Sequence, residues 1–241
     1  MKKLIILFLG LMSANTLMAD VLGFSVGANY WNYDMDGKVR SPLAENNYIA
    51  IDYRDNNDVN FYVSFEHPIP FLPNVKLQQN NIQSTGVIAI SDPGYMNGLV
   101  VNVLGDIDLS HTDVLLYYEV LDNWVNLDIG MSAKYFDGYT RFNYETLIDD
   151  ESDFDDWIPM LYAKAQLDLP LTGLSAAATV EALSFDSNKV SDVDVALLYQ
   201  HTTGLGVSLG YRTLDVDLKN VNSFKSDLKV DGFYLGGMIA F

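Results

Sequence analysis

The chain has 241 residues, a formal net charge of -18 and no cysteine. Without cysteine there are no disulfide staples, no thiol nucleophile and no CxxC redox site, so a core or a sheet must hold the fold. The acidic excess argues against DNA, RNA or anionic lipid as partners, and 49% hydrophobic residues against 19% charged ones exclude a disordered acidic tail.

The first segment, "MKKLIILFLGLMSANTLMAD", has a basic start at Lys2 and Lys3, an apolar run from Leu4 to Met12 and small or polar residues up to Ala19. That pattern predicts a secretory signal peptide over 1–19, cut before Asp20, with the mature domain over 20–241. The apolar run is far shorter than the ~20 residues of a spanning helix. Removing Lys2 and Lys3 leaves 12 basic against 32 acidic residues, a mature charge of about -20.

Strict two-residue alternation then recurs along the chain. "LGFSVGANYW" sends Leu22, Phe24, Val26, Ala28 and Tyr30 one way and Gly23, Ser25, Gly27, Asn29 and Trp31 the other. "VNFYVSFE" opposes Val59, Phe61, Val63 and Phe65 to Asn60, Tyr62, Ser64 and Glu66, and "WVNLDIGMSAKYF", "LYAKAQLDL" and "LGVSLGYR" repeat the pattern. The last stretch, "DGFYLGGMIAF", places Phe233, Leu235, Gly237, Ile239 and Phe241 on one face. Segments near ten residues with one smooth apolar face and one polar, glycine-bearing face are the signature of transmembrane barrel strands. A periplasmic sandwich or lipocalin-like cup, apolar faces inward, is the alternative.

Tight-turn chemistry falls at "HPIPFLPN" (67–74), "LDNW" (121–124), "LPLTG" (169–173) and "HTTG" (201–204). Longer polar connections are predicted at 34–57, 86–108, 138–156, 184–191 and 215–228. The fold class is therefore an all-β, antiparallel, up-and-down transmembrane β-barrel of about ten strands, with eight or twelve left open. Its short turns are periplasmic and its longer loops extracellular. The predicted strands are 21–33, 58–67, 74–86, 109–121, 124–137, 157–169, 174–184, 191–201, 205–216 and 229–241. The third is the poorest, and "YIAIDY" (48–53) and "GLVVNVL" (98–104) either extend neighbours above the membrane or raise the count.

With lipid outside, Phe241 sits in an aromatic girdle at the membrane edge. The tail resembles the C-terminal insertion signal read by the barrel-assembly machinery, with Gly236, Ile239 and Phe241 in its three places. "EHPIPFLPNVKL" (66–77), "DLSHTDVLLYYEVLDN" (108–123), "MLYAKAQLDLPLTGLS" (160–175) and "LGYRTLDVDL" (209–218) resemble the hallmark blocks of a family of Gram-negative outer-membrane β-barrel proteins of unassigned function. The resemblance spans most of the mature chain. It implies outer-membrane location and architecture and carries over no catalytic residues.

Three histidines are present, and His67 and His201 fall in predicted periplasmic turns. His111 and Asp113 are the candidate catalytic pair, inward-facing near the outer end, but no nucleophile or oxyanion donor stands beside them, so the chain reads as no enzyme. The acidic stretch 147–157 offers Asp149, Asp150, Glu151, Asp153, Asp155 and Asp156 as candidate ligands for a divalent cation, against the plainer reading of a solvated outer loop. No cofactor-binding pattern is present.

Parity sends Glu66, Glu119, Asp128, Asp168, Glu181 and Asp194 into the lumen together with Lys76, Lys134, Lys164 and Arg212. Opposite charges in one narrow cylinder should pair, because an unpaired buried charge is costly. Barrels near eight strands fill with side chains, whereas open channels appear at ~16. The sequence thus points to an exported, monomeric outer-membrane protein with an envelope structural or surface-interaction role and a plugged lumen. A porin-like narrow pore is the runner-up and an outer-membrane enzyme a distant third. The implied partners are outer-membrane lipid, lipopolysaccharide and the assembly machinery, with no nucleic acid.

Overall fold

The computed structural model describes residues 22–40, 48–50, 52, 53, 55–69, 71–91, 100–144, 148–185, 188–221 and 224–241. The expected signal peptide at 1–19 lies outside them. The strands are β1 (Gly23–Arg40), β2 (Tyr48–Ala50), β3 (Asp52–Tyr53), β4 (Asn56–Glu66), β5 (Asn74–Asn80), β6 (Gln83–Ser91) and β7 (Val100–Asp108). They continue with β8 (His111–Leu121), β9 (Val125–Tyr144), β10 (Ile148–Leu169), β11 (Leu174–Phe185), β12 (Asn188–Gln200), β13 (Leu205–Val221) and β14 (Phe224–Ala240).

Ten of these close an antiparallel transmembrane barrel in the order β1-β4-β5-β8-β9-β10-β11-β12-β13-β14. Closure is β1 on β14, from Ser25 opposite Ala240 to Val39 opposite Ser226. At the seam the Phe241 amide donates to the Phe24 carbonyl at 2.8 Å, and the two rings stack with centroids 6.1 Å apart. At one end of the barrel, short turns follow Glu66, Leu121, Leu169 and Gln200, and this is the turn end. Gly204 permits the last turn, with φ +85 and an amide bonded to the His201 carbonyl at 2.9 Å. A side chain there would also strike the Ala240 carbonyl.

The opposite, hairpin end differs from expectation. The stretches taken from sequence as long polar connections are largely strand: β9 and β10 stay paired up to Tyr144 opposite Ile148, and β13 and β14 up to Val221 opposite Phe224. The predicted third strand breaks at Asn81 and Ile82. Its upper part, β6, pairs with β7, and β7 continues along β9 where β8 leaves off. The bend is stitched by the Leu109 amide on the Ile82 carbonyl at 2.8 Å and by the Ile82 amide on Ser110 Oγ at 3.1 Å. β2 and β3 are short additions on β1 and β6. The strand-like segments outside the ten therefore extend the barrel and do not widen it.

Outward positions of the turn-end half are apolar and exposed, as at Val207, Leu209, Ile129, Met131 and Leu235. Aromatic pairs mark the upper limit of this band, Tyr135 with Trp157 at 5.0 Å and Tyr211 with Phe233 at 4.8 Å. Tyr118, Trp124, Phe65 and the Phe24–Phe241 pair mark the lower limit. Such girdles bound the hydrocarbon region of a transmembrane barrel. Above the upper girdle the phase reverses. Trp31, Tyr33 and Met35 of β1 and Leu214, Val216 and Leu218 of β13 point inward and are at most 3% exposed. Asn32, Asp34 and Asp36 point outward and are exposed. With Phe136, Phe142, Ile107 and Val230 the inward set forms one apolar core inside the hairpin-end half.

Candidate functional site

The barrel interior is built from inward positions of all ten strands and falls into three layers. At the turn end is a cavity of about 420 Å³ whose walls include Glu66, Lys76, Glu119, Asp122, Asp128 and Lys164. Four tyrosines, Tyr62, Tyr117, Tyr162 and Tyr234, also line it. Glycine on the polar face makes room for them: Gly27 lies opposite Tyr62 and Gly210 opposite Tyr234, and a Cβ at either would overlap the ring. Tyr117 donates its hydroxyl to Glu66 at 2.7 Å. Asn74 donates to Glu119 at 3.3 Å, and Tyr234 donates to Asp194 at 3.2 Å. Lys164 stands 3.5 Å from Asp128. Asp168 accepts from Asn126 at 2.7 Å and from Gln166 at 2.9 Å.

The second layer is a charged collar at the level where the phase reverses. Lys134, fully buried, donates to Asp192 at 2.9 Å and to Asp113 at 3.0 Å, and lies 3.3 Å from Glu181. Arg212 grips Asp192 with Nε at 2.8 Å and Nη2 at 2.6 Å, while Nη1 donates to Asn80 Oδ1 at 2.6 Å. Its guanidinium carbon lies 5.0 Å from the centroid of the Trp31 ring. Asn80 in turn donates to Asp113 at 2.9 Å, and Ser132 donates to Glu181 at 2.5 Å. Two cations, from β9 and β13, thus share three carboxylates from β8, β11 and β12. Geometry of this quality is what offsets the desolvation of buried charges, and the planar fork of arginine fixes a carboxylate in two bonds at once. The third layer is the apolar core above the collar.

Several sequence expectations are corrected here. Arg212 holds one carboxylate and an amide oxygen, and the carboxylate is Asp192, which is not among the expected lumen charges. Among the described residues Glu66, Lys76, Glu119, Asp168 and Asp194 have no opposite charge within 4 Å, so pairing of the expected lumen charges is confined to the collar and to Lys164 with Asp128. His111 and Asp113 are not an accessible rim pair: they are 1% and 3% exposed. His111 Nδ1 donates to the Leu109 carbonyl at 2.9 Å, and the ring packs on Phe136 at 4.7 Å. Its Nε2 faces Asp113 Oδ1 at 3.7 Å, and neither atom has a hydrogen-bond partner among the described residues. A proton-transfer pair needs reach to a substrate, and this one is enclosed.

The acidic stretch of β10 is strand and not an irregular loop, with residues 150–156 paired to residues 142–136 of β9. Glu151, Asp153 and Asp155 share one face of the strand but are strung along it at roughly 6.6 Å intervals, so they do not converge on one ion. Glu151, Asp153 and Asp155 are exposed, and Glu151 is taken by Arg141 at 2.7 Å. The side chains of Asp149 and Asp150 lie outside the described residues. Among the described residues no three acidic or histidine side chains gather closely enough to hold a metal ion. The outer surface of the hairpin end is nonetheless crowded with like charge, and the Asp55 carboxylate raises Asp34 above the usual carboxylate range.

Asp192 and Asn80 are the residues that sequence reasoning missed. Asp192 has the same parity as Asp194 and stands one step below the inward Val190, so the change from valine to aspartate on one face was its signal. Asn80 ends β5 in a run polar on both faces, where alternation carries no information.

No family model and no curated protein matches the sequence. Among solved structures, the outer membrane protease OmpT from Escherichia coli is similar at 10% identity and a TM-score of 0.50, over 92% of this chain and 96% of that one. The translocator domain of the autotransporter NalP from Neisseria meningitidis is similar at 10% identity and a TM-score of 0.47, over 96% and 92%. The attachment invasion locus protein Ail of Yersinia pestis, in complex with the heparin analogue sucrose octasulfate, is similar at 12% identity and a TM-score of 0.37, over 91% and 99%. At 10% identity the likeness to OmpT is one of fold alone, a closed antiparallel barrel of the outer-membrane type.

Proposed function

We propose that this chain is an integral outer-membrane barrel whose lumen is closed, with an envelope structural or surface-interaction role. In this reading the signal peptide is cleaved on export, the turn end lies in the periplasm and the hairpin end projects outside. The exposed apolar band meets outer-membrane lipid and lipopolysaccharide. Gly236, Ile239 and Phe241 address the chain to the barrel-assembly machinery, after which it stands as a monomer. The resemblance to the outer-membrane family of unassigned function fits the same reading.

One observation carries it: the interior changes from polar cavity, to salt-bridged collar, to apolar core along a single axis. A conducting path would need water through all three layers, and the uppermost is packed with Trp31, Phe136, Leu214 and their neighbours at 0–1% exposure. Planar-bilayer recording on the purified protein tests it. Silence is the expected result, and steady ohmic steps would support the narrow pore, for which the polar cavity already supplies the periplasmic half. The reading assigns no catalysis. The likeness to a protease is one of fold alone, and His111 is committed to Leu109 and Phe136.

A further inference from the structure

We propose that the turns around Phe71 and Leu171 are lipid anchors, which enter the boundary between headgroups and acyl chains where the membrane surrounds the turn end. This contact lies below the lipid band and rests on the membrane reading of that band. In both turns a bulky apolar residue stands at the tip in the left-handed region, Phe71 with φ +67 and Leu171 with φ +67. That backbone is unfavourable for a residue with a Cβ, and the fourth turn meets the same demand with Gly204 at φ +85. The two tips gain no packing within the chain in return: Phe71 is 96% exposed and Leu171 wholly so. Backbone strain that gains nothing inside the chain points to a contact outside it.

The surroundings of the tips identify the partner as lipid. Tyr118, outward on β8 in the lower girdle, donates its hydroxyl to the Phe71 carbonyl at 3.0 Å, so the first turn lies against the outer wall and not across the mouth of the barrel. Ile69 and Leu72 beside Phe71 are exposed as well. Leu171 stands between Leu169 and Leu174, both exposed on the lipid face. Thr172 fixes that turn, its hydroxyl donating to the Leu169 carbonyl at 2.7 Å and accepting from the Leu174 amide at 3.0 Å. The turn between β8 and β9 adds the exposed Trp124. Residues 68–73 and 170–173 contain no charged side chain, so neither an ionic headgroup nor a charged protein surface is selected. An uncharged, apolar and aromatic edge that continues a lipid band suits the headgroup boundary, where such groups settle roughly 5–10 Å deep. The fourth turn, 201–204, is His-Thr-Thr-Gly, so the anchors hold one side of the rim and leave the other to water.

The chain has no cysteine, so single nitroxide labels can be placed at will. Ile69→Cys, Leu171→Cys, Thr203→Cys and Leu209→Cys, each made alone and labelled, are reconstituted as full barrels in phosphatidylcholine vesicles. Relaxation of each label by dissolved oxygen, which concentrates in lipid, is compared with relaxation by a water-soluble nickel chelate. All four positions are exposed, so folding should be kept, which heat-modifiable gel mobility reports. Oxygen is expected to dominate at 209 and, at shallower depth, at 69 and 171, whereas the nickel chelate dominates at 203. Adding Phe71→Asn to the Ile69→Cys variant keeps a residue that tolerates the left-handed backbone and removes the ring, so the label at 69 should shift toward the nickel chelate. The anchors are overturned if the labels at 69 and 171 follow 203, if Phe71→Asn leaves the label at 69 unmoved, or if both labels are shielded from the two reagents alike, as burial against a second copy would make them. A label at 209 that follows 203 overturns the membrane reading of the band, a failure distinct from loss of the anchors with 209 still in lipid.

Discussion

Strand β13 can be cut at Arg212 into two pieces that obey opposite rules. Below the cut, Leu205, Val207, Leu209 and Tyr211 face out, and Gly206, Ser208 and Gly210 face in. Above it, Leu214, Val216 and Leu218 face in, while Thr213, Asp215 and Asp217 face out. The backbone, the pleat and the pairing with β14 run on unchanged through the switch. What changes is the solvent. The lower piece meets lipid outside and water within, so apolar side chains gain by facing out. The upper piece meets water outside, so the ordinary rule of a soluble barrel returns and apolar side chains pack inward. β1 switches between Asn29 and Trp31, β9 between Lys134 and Phe136, and β12 between Asp192 and Val190. The charged collar occupies this boundary, where the interior is neither wet cavity nor dry core.

The largest effect should come from the boundary itself. Asp192→Ala leaves Lys134 and Arg212 buried without the carboxylate they share, a loss of about 3–5 kcal/mol in unfolding stability. Urea unfolding of the detergent-solubilised barrel would measure it, and a loss below about 1 kcal/mol would mean that water reaches the collar. Next in size is a matched pair of truncations on one strand. Leu214→Ala removes a side chain that is 0% exposed and leaves a cavity, at a cost of about 2–5 kcal/mol. Leu209→Ala trims a side chain 54% exposed on the lipid face, where lipid or detergent fills the gap and no internal cavity forms. Equal losses at the two positions would dissolve the distinction between the halves.

Charge should separate the halves the other way. Ile129→Arg puts a guanidinium in the middle of the lipid band, at a cost of about 2–4 kcal/mol. Asp217→Arg, outward above the upper girdle, stays within about 0.5 kcal/mol. Folding titrations into lipid vesicles would rank them, and parity of the two would place the hairpin end inside the bilayer.

The membrane half was legible in the sequence because alternation there is strong and turn residues punctuate it every strand. The upper half was hidden by the same signal. "LDVDLK" at 214–219 alternates as cleanly as "GVSLGY", but its charged positions read as loop to an eye expecting lipid outside. The clue was a change of phase between odd and even apolar positions across Arg212. Which carboxylate Arg212 would take was not legible. Asp192 and Asp194 share a face, and the register of β12 on β13 sets Asp194 directly opposite Arg212, yet the guanidinium reaches diagonally to Asp192, where Asn80 takes its remaining donor.

The smallest expected effect isolates an ion pair of similar chemistry in the upper half's own solvent. Lys229 and Asp231 lie outward above the girdle, Nζ to Oδ1 2.8 Å, with the lysine side chain 50% exposed. The hydrogen bond to Asp231 raises the Lys229 ammonium above its ordinary range, and the bonds from Lys229 and Tyr211 hold Asp231 below its own. A raised lysine contributes stability that is fully present below the unfolded value near ~10.4 and is lost as pH climbs through the folded value. The depressed aspartate contributes above its unfolded value near ~3.9 and is lost as pH falls through the folded one. Lys229→Gln should therefore cost at most about 0.5 kcal/mol at pH 7, because water and salt screen so exposed a pair. The difference should vanish in ~1 M salt, where the screening length is about 3 Å, and again well above the folded pKa of the lysine. Unfolding midpoints of wild type and variant at low and high salt, at neutral and strongly alkaline pH, would show this. Lys134 is enclosed by three carboxylates out of reach of mobile ions, so the cost of Lys134→Gln should keep most of its size when salt is raised. A Lys229 effect that resisted salt equally would mean that the outer face of the hairpin end is covered, and the contrast between the two halves would fail.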